Sequence, residues 1–480
     1  MSRWAHLTYT SVDSADAIST GGWQVKQESP MSTSEREDIL TAIPTRLPLV
    51  EPLPAYPSET ELAAAPRRLA LVSRADGSNL LIHTASAGTD AAGRPGNVFS
   101  HALLDRDPLA PLDYSGPVRP IELWRSPSWL TPYGAVDVRN AWFDHHVPVR
   151  PGTAVTRRTV IDFLYEDLAS RQHTLLQLLD AVVAALGDGP RVAIVTTSAD
   201  EGALWIGLVS FLAAPALSAK LSFSTYERAD DALETPIRTV LSVVPHKADR
   251  NDICFVDPLD REPVGSFQPA SQWARLVDHG CRAGALTLDD RLLAMDAIGT
   301  QHPDAADQCP WWPLAVSMAA HPLLADAYTD VAPIVLRETP VYPPLDPMVL
   351  DAIDGLVHTA ARRSTAAVWD LLAGQEQRPS VNPDLLAALR RGYLNQALSD
   401  VDWLTDRRPP PVPETSGDEV YEVVAPALDR LRARHWSRPD WPDIAGGAIE
   451  MLYRYGVDPP TRHLLESLRA DAIGTMGVYR

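Results

Sequence analysis

Residues 94–104 read Arg-Pro-Gly-Asn-Val-Phe-Ser-His-Ala-Leu-Leu. A glycine beside a proline permits a sharp backbone turn. An apolar stretch comes directly after it, interrupted by Asn97 and His101. Polar side chains among core-bound residues need hydrogen-bond partners. The run therefore predicts a tight entry into a buried segment with two polar groups held inside it.

The surrounding pattern is mixed α/β over roughly the first 145 residues. Residues 7–12, 23–25, 68–73, 79–83 and 120–124 carry strand character, and Asp76-Gly77 marks a turn between two of them. Ser34-Glu35-Arg36-Glu37 has the spacing of a capping box and predicts a short helix ending before Pro44. Residues 44–57 are a proline-rich loop.

Beyond the hinge-like stretch 147–152 the pattern changes. Residues 160–186 show apolar positions at helical spacing (Phe163, Leu164, Leu168, Leu175, Leu179, Val183) and end at Gly187 and Gly189. A strand at 191–196, a helix opened by Ser198-Ala199-Asp200-Glu201, and strands at 221–226 and 239–244 predict a small α/β layer.

From about Ser271 the chain reads as helix. Asp346-Pro347 and Asn382-Pro383 each pair a cap residue with proline at the first helical position. Ser416-Gly417-Asp418-Glu419 is a further capping box, and residues 407–413 form a polyproline spacer. No fixed-period repeat is present, so stacked helical hairpins are expected without a solenoid assignment. The expected fold class is a multidomain α+β or α/β chain. Its predicted parts are a mixed α/β domain at 1–148, a small α/β middle domain at 149–268 and an all-helical region at 269–480.

Composition excludes several functions. A formal charge of −20 repels nucleic acid on average, and no dense basic run offsets it. No apolar stretch approaches the roughly 20 residues of a membrane span, and the first residues lack a signal-peptide core, so a cytoplasmic location is expected. The chain has three lysines, Lys26, Lys220 and Lys247. None has the context of a phosphate-binding P-loop, which excludes a P-loop NTPase. Cys254, Cys281 and Cys309 form no CxxC pair, so neither a disulfide framework nor a cysteine zinc site is expected.

With those residues in view, the amino-terminal part resembles the GTPase-associated protein 1 family. The resemblance rests on Tyr9-Thr10-Ser11, Gly22-Trp23-Gln24, Arg94-x-Gly96-Asn97-x-Phe99-x-His101-Ala102-Leu103, and Pro120-Ile121-Glu122-Leu123-Trp124 with Trp129. Leu221-Ser222-Phe223-Ser224-Thr225-Tyr226 is similar to the family's middle domain. Trp23 and Val98 depart from the family's usual residues but keep bulk and apolarity. The resemblance implies an adaptor or regulator encoded beside bacterial GTPases in conflict or signalling systems, and it implies no reaction. The expected partner is thus a GTPase or related NTPase, with no cofactor.

Four residues stand out as candidate ligand- or partner-binding groups: Arg94, Asn97, His101 and Gln24. The first three would supply a cation, an amide and an imidazole. The competing reading is a hydrolase or ligand-sensing enzyme built on Arg94, Asn97 and His101. Asp144-His145-His146 carries metal-binding residue types. Extended backbone would send neighbouring side chains to opposite faces, so at most two should converge and no metal site is expected. Thr196-Thr197-Ser198 is expected to cap a helix, not to bind phosphate. Ser86 lacks the first glycine of a nucleophile elbow. Trp311, Trp312, Trp403, Trp436 and Trp441 are expected to pack between helices.

Overall fold

The computed structural model describes residues 2–12, 22–47, 49, 53–54, 56–90, 92–111, 118–228, 240–260, 268–406, 411–412, 419–455, 466 and 470. The chain divides into two compact units, Met1–Leu314 and Ala315–Arg480.

The first unit is built on one nine-stranded sheet. In chain order its strands are β1 (Trp4–Val12), β2 (Gly22–Glu28), β3 (Arg68–Ser73), β4 (Asn79–Thr89), β5 (Pro95–Asp105), β6 (Arg191–Val195), β7 (Phe223–Ser224), β8 (Leu241–Val244) and β9 (Ile253–Val256). Their spatial order is β2-β1-β5-β4-β3-β7-β8-β6-β9. The first five pair antiparallel. β7, β8, β6 and β9 pair in parallel with one another. The two halves join where β7 lies antiparallel to β3, with Ala70 opposite Ser224 and Leu71 opposite Phe223. The sheet thus runs across residue 148, where a change of domain was expected.

Period-two alternation sorts β1 between two covered faces. Ala5 and Leu7 join Leu80, Ile82, Ala102 and Leu104 in a core closed by Ile39 and Ile43. Ile39 comes from helix α1 (Thr33–Ala42). That helix is capped at Ser32, two residues before the expected Ser34. The Glu35 amide donates to Ser32 Oγ at 3.2 Å and the Ser32 amide to Glu35 Oε2 at 2.7 Å. Arg106 also bonds the Glu35 carboxylate, chiefly for which reason its pKa falls to about 2.

Helix α2 spans Glu59–Ala64. The turn at Asp76-Gly77 joins β3 to β4 as expected, with Gly77 at φ +84° and the Ser78 amide donating to Asp76 Oδ1 at 3.0 Å. The Pro95-Gly96 turn is instead the bulged start of β5. Gly96 has φ +98°, and the β4–β5 register shifts beside it. The reversal lies earlier, where the Asp90 amide donates to Arg94 O. Residues 120–124 are not a strand either: Pro120–Leu123 is a 3-10 helix, in keeping with proline's preference for a first helical turn. Helix α3 spans Ala135–Asn140.

The long helix expected at 160–186 is two, α4 (Arg157–Glu166) and α5 (Leu168–Leu186), broken at Asp167. Helix α6 (Ala199–Leu212) begins at Ser198, whose Oγ accepts from the Glu201 amide. It approaches β8 so closely that a Cβ on Gly202 would stand 2.6 Å from the Val243 methyls. Helices α7 (Pro215–Lys220), α8 (Gln272–Arg282) and α9 (Ala285–Gln301) complete this part. The strand expected over 221–226 is only two residues long, and β9 was not anticipated.

Buried polar ties join the early and middle segments. The Arg68 guanidinium donates twice to Glu227 Oε1, at 2.9 and 2.7 Å. Arg119 donates to Ser210 O at 3.1 Å, to Ala213 O at 2.9 Å and to Asp296 Oδ1 at 2.5 Å. One side chain therefore satisfies carbonyls at the α6 C-terminus and reaches α9.

In the second unit the described elements are helical. They include Tyr328–Glu338, Pro347–Arg363, Thr365–Glu376, Pro383–Ala397, Val401–Thr405, Glu419–His435 and Trp441–Arg454. Asp346 and Asn382 cap their helices as expected. Trp441 is buried and Trp436 exposed, so the tryptophans do not share one role. The capping box at 416–419 and most of the spacer at 407–413 lie outside the described residues. Fold class is as expected: a multidomain α+β chain with a mixed sheet followed by a helical region. No described helix is long and apolar enough to cross a membrane.

Candidate functional site

The amino-terminal sheet places Asn97, His101 and Gln24 on three pairings with β1 or beside it, and leaves Arg94 on the surface. Arg94 is 77% exposed and paired with Asp90 at 2.8 Å. Asn97 is buried. Its Oδ1 accepts from the Thr10 hydroxyl at 3.4 Å and the Ser11 amide at 3.3 Å, and its Nδ2 donates to Ser11 O at 3.2 Å. Asn97 therefore fastens the start of β5 to the end of β1. Gln24 lies half-buried on β2, opposite Thr10. Arg94, Asn97 and His101 bond to different partners.

His101 belongs to a different group, which sequence reading missed. It stands opposite His83 on β4 and opposite Thr8 on β1, and His6 lies two residues before Thr8 on the same face. His101 Nε2 and His6 Nδ1 are 3.1 Å apart. The Leu130 amide donates to His101 Nδ1 at 3.4 Å. That donor assigns the tautomer: Nδ1 accepts, so Nε2 carries the proton and donates to His6 Nδ1. Aromatic rings enclose the group. His83 stacks on Trp129 at 5.3 Å, His101 meets the same indole edge-on, and Phe143 stacks against both His6 and His101.

These imidazoles are neutral. Burial, helped by His145, lowers His6 to about 4. Burial, helped by His6, lowers His101 to about 3. Burial also holds His83 well below the ordinary value, with Arg67, His101 and Arg125 adding repulsion. Among the described residues, neither ring nitrogen of His83 has a hydrogen-bond partner. The expected strand began at residue 7 and left His6 out, whereas β1 begins at Trp4. Which strand would lie alongside was not visible.

At the start of α6 the Ser198 hydroxyl accepts the Glu201 amide, as the capping reading expected. Asp200 receives Trp124 Nε1 at 2.8 Å and Arg125 Nε at 2.5 Å. Burial alone would raise the Asp200 carboxyl, but these bonds and the neighbouring guanidinium charges hold it below its usual range.

Asp144-His145-His146 departs from expectation. The segment is a turn, closed by the Val147 amide donating to Asp144 O at 3.1 Å. One ligand atom from each of the three exposed residues lies within 4.8 Å of the others. Extended-chain alternation therefore does not apply, and all three converge. Among the described residues this is the one group of three such side chains.

Residues 3–141 match the family described as GTPase-associated protein 1, N-terminal domain type 2. Residues 164–254 match GTPase-associated protein 1, middle domain. The chain carries two domains of the GTPase-associated protein 1 type. Similar proteins include two named SaeB, provisionally assigned to ESX-1 scaffolding and assembly. One, from Mycolicibacterium smegmatis strain mc(2)155, is 33% identical over 99% of this chain and 58% of its own length. The other, from strain MKD8, is 36% identical over 96% and 56%. The chain thus spans little more than half of these curated relatives. No solved structure matches it at a significant level. Both family domains contribute strands to the nine-stranded sheet, the middle domain supplying β6 to β8 and the start of β9.

Proposed function

We propose that the chain is a non-enzymatic adaptor or scaffold whose partner is a bacterial GTPase or related NTPase, working in the cytoplasm within a conflict or signalling system. The observation that carries this reading is the joining of two GTPase-associated domains in one continuous sheet. A shared sheet presents both domains to a partner as one surface. The relatives' assignment to scaffolding and assembly supports the same class of role. The hydrolase reading gains no support, because Arg94, Asn97 and His101 are engaged with separate structural partners.

An adaptor shifts its partner's equilibrium only through different affinities for the partner's states. The full chain should therefore retain a GTPase encoded beside it, and do so better in one nucleotide state. Pull-down with purified neighbouring GTPases, loaded with GDP or a GTP analogue, tests this. Retention in one state is expected, and absence of retention in both would remove the adaptor reading.

A further inference from the structure

We propose that Asp144, His145 and His146 form a surface binding site for a divalent transition cation of the zinc class. The ligand atoms lie within 4.8 Å of one another. Tetrahedral zinc with metal–ligand bonds of about 2.0–2.1 Å needs ligand separations of about 3.3 Å, which modest side-chain rotations supply. Two imidazoles and one carboxylate suit zinc, cobalt, nickel or copper, whereas calcium and magnesium prefer all-oxygen sets. Three protein ligands leave a fourth position open to water or to a donor from another molecule.

The local fold pre-organises the set. Asp144 Oδ1 accepts the His146 amide at 2.9 Å, which leaves Oδ2 free to face a cation. The two imidazole rings already lie 4.0 Å apart, centre to centre. Both ends of the turn are anchored. Upstream, Phe143 exchanges two hydrogen bonds with the Gln27 side chain, its amide donating at 2.8 Å and its carbonyl accepting at 2.7 Å. Downstream, the Arg150 amide donates to Ser128 Oγ at 2.9 Å, and Arg150 O accepts from Ser126 Oγ. A turn pinned on both sides loses little conformational freedom on binding a cation.

Calorimetric titration of the metal-free full chain with zinc chloride tests the site, with cobalt absorption as a second readout of coordination. One equivalent of zinc is expected to bind. His145→Ala and His146→Ala should each weaken it by about tenfold or more, since even loss of a residue that only supports a ligand costs that much. Asp144→Asn keeps an acceptor for the His146 amide and should weaken zinc while leaving the metal-free melting temperature unchanged. His358→Ala, at an exposed position in the second unit, should have no effect. Absence of zinc binding, or equal binding by the His145→Ala/His146→Ala double variant, would overturn the proposal. The test reads cation binding by the chain alone, so its failure leaves the adaptor reading untouched.

Discussion

His6, His83 and His101 occupy three neighbouring strands, and burial keeps all three uncharged. The unfolded chain takes up protons on these imidazoles below about pH 6.5, while the folded chain resists until about pH 4. Their contribution is therefore complete above pH 6.5 and is lost as pH falls, by up to about 1.4 kcal/mol per pH unit for each imidazole. Urea unfolding should show a lower midpoint at about pH 5 than at about pH 7. His101→Phe should flatten that dependence, and an unaltered slope would show that His101 is not neutral in the fold. His83 makes the opposite kind of prediction. Its ring nitrogens find no partner among the described residues, so His83→Leu should be neutral or stabilising by about 1 kcal/mol in urea unfolding. A large loss would mean that the imidazole has an unrecognised polar task. Asn97→Ala, in contrast, removes the bonds that Asn97 makes to Thr10 and Ser11 and should cost about 1–3 kcal/mol. At this scale the sequence marked Asn97 and His101 as buried polar groups correctly. It hid what bonds them, because Ser11 and His6 are about 90 residues away in sequence.

Elements with local signals were legible. β3 has the expected bounds, and Ser198, Asp346 and Asn382 cap their helices, because strand alternation and capping depend on a few adjacent residues. Elements decided by distant contacts were not. Residues 120–124 look like a strand from composition, yet Arg119 commits them to a 3-10 turn by bonding α6 carbonyls and Asp296. The Asp144 turn was misread for a related reason: alternation holds for extended chain, and the Asp144 side chain and carbonyl both accept amides that curl it. Arg68 and Glu227 test the join between β3 and the segment after β7. Glu227→Ala leaves a buried guanidinium without its carboxylate and should cost about 3–5 kcal/mol. An Arg68→Met/Glu227→Met double variant should recover much of that loss. Equal loss in single and double variants, measured by chemical unfolding, would show that the pair is not the source of the effect.

For the whole molecule, the continuous sheet has the largest consequence. Separating residues 1–148 would uncover β3, whose Leu71 and Ala70 pair with β7, and would strand Arg68 and the Leu69 amide that donates to Thr225 Oγ. That fragment should not give a cooperative unfolding transition, whereas the intact chain should unfold its two family domains together. The joined sheet was the least legible feature, since β7 contributes only two residues and no local pattern announces that pairing. The same joining supports a partner surface made from both domains. Its most direct test is the affinity of the full chain for a purified neighbouring GTPase, titrated in the GDP-bound and GTP-analogue-bound states. The account predicts a difference of about tenfold or more between states, equivalent to about 1.4 kcal/mol. Equal affinities, or no binding in either state, would contradict it.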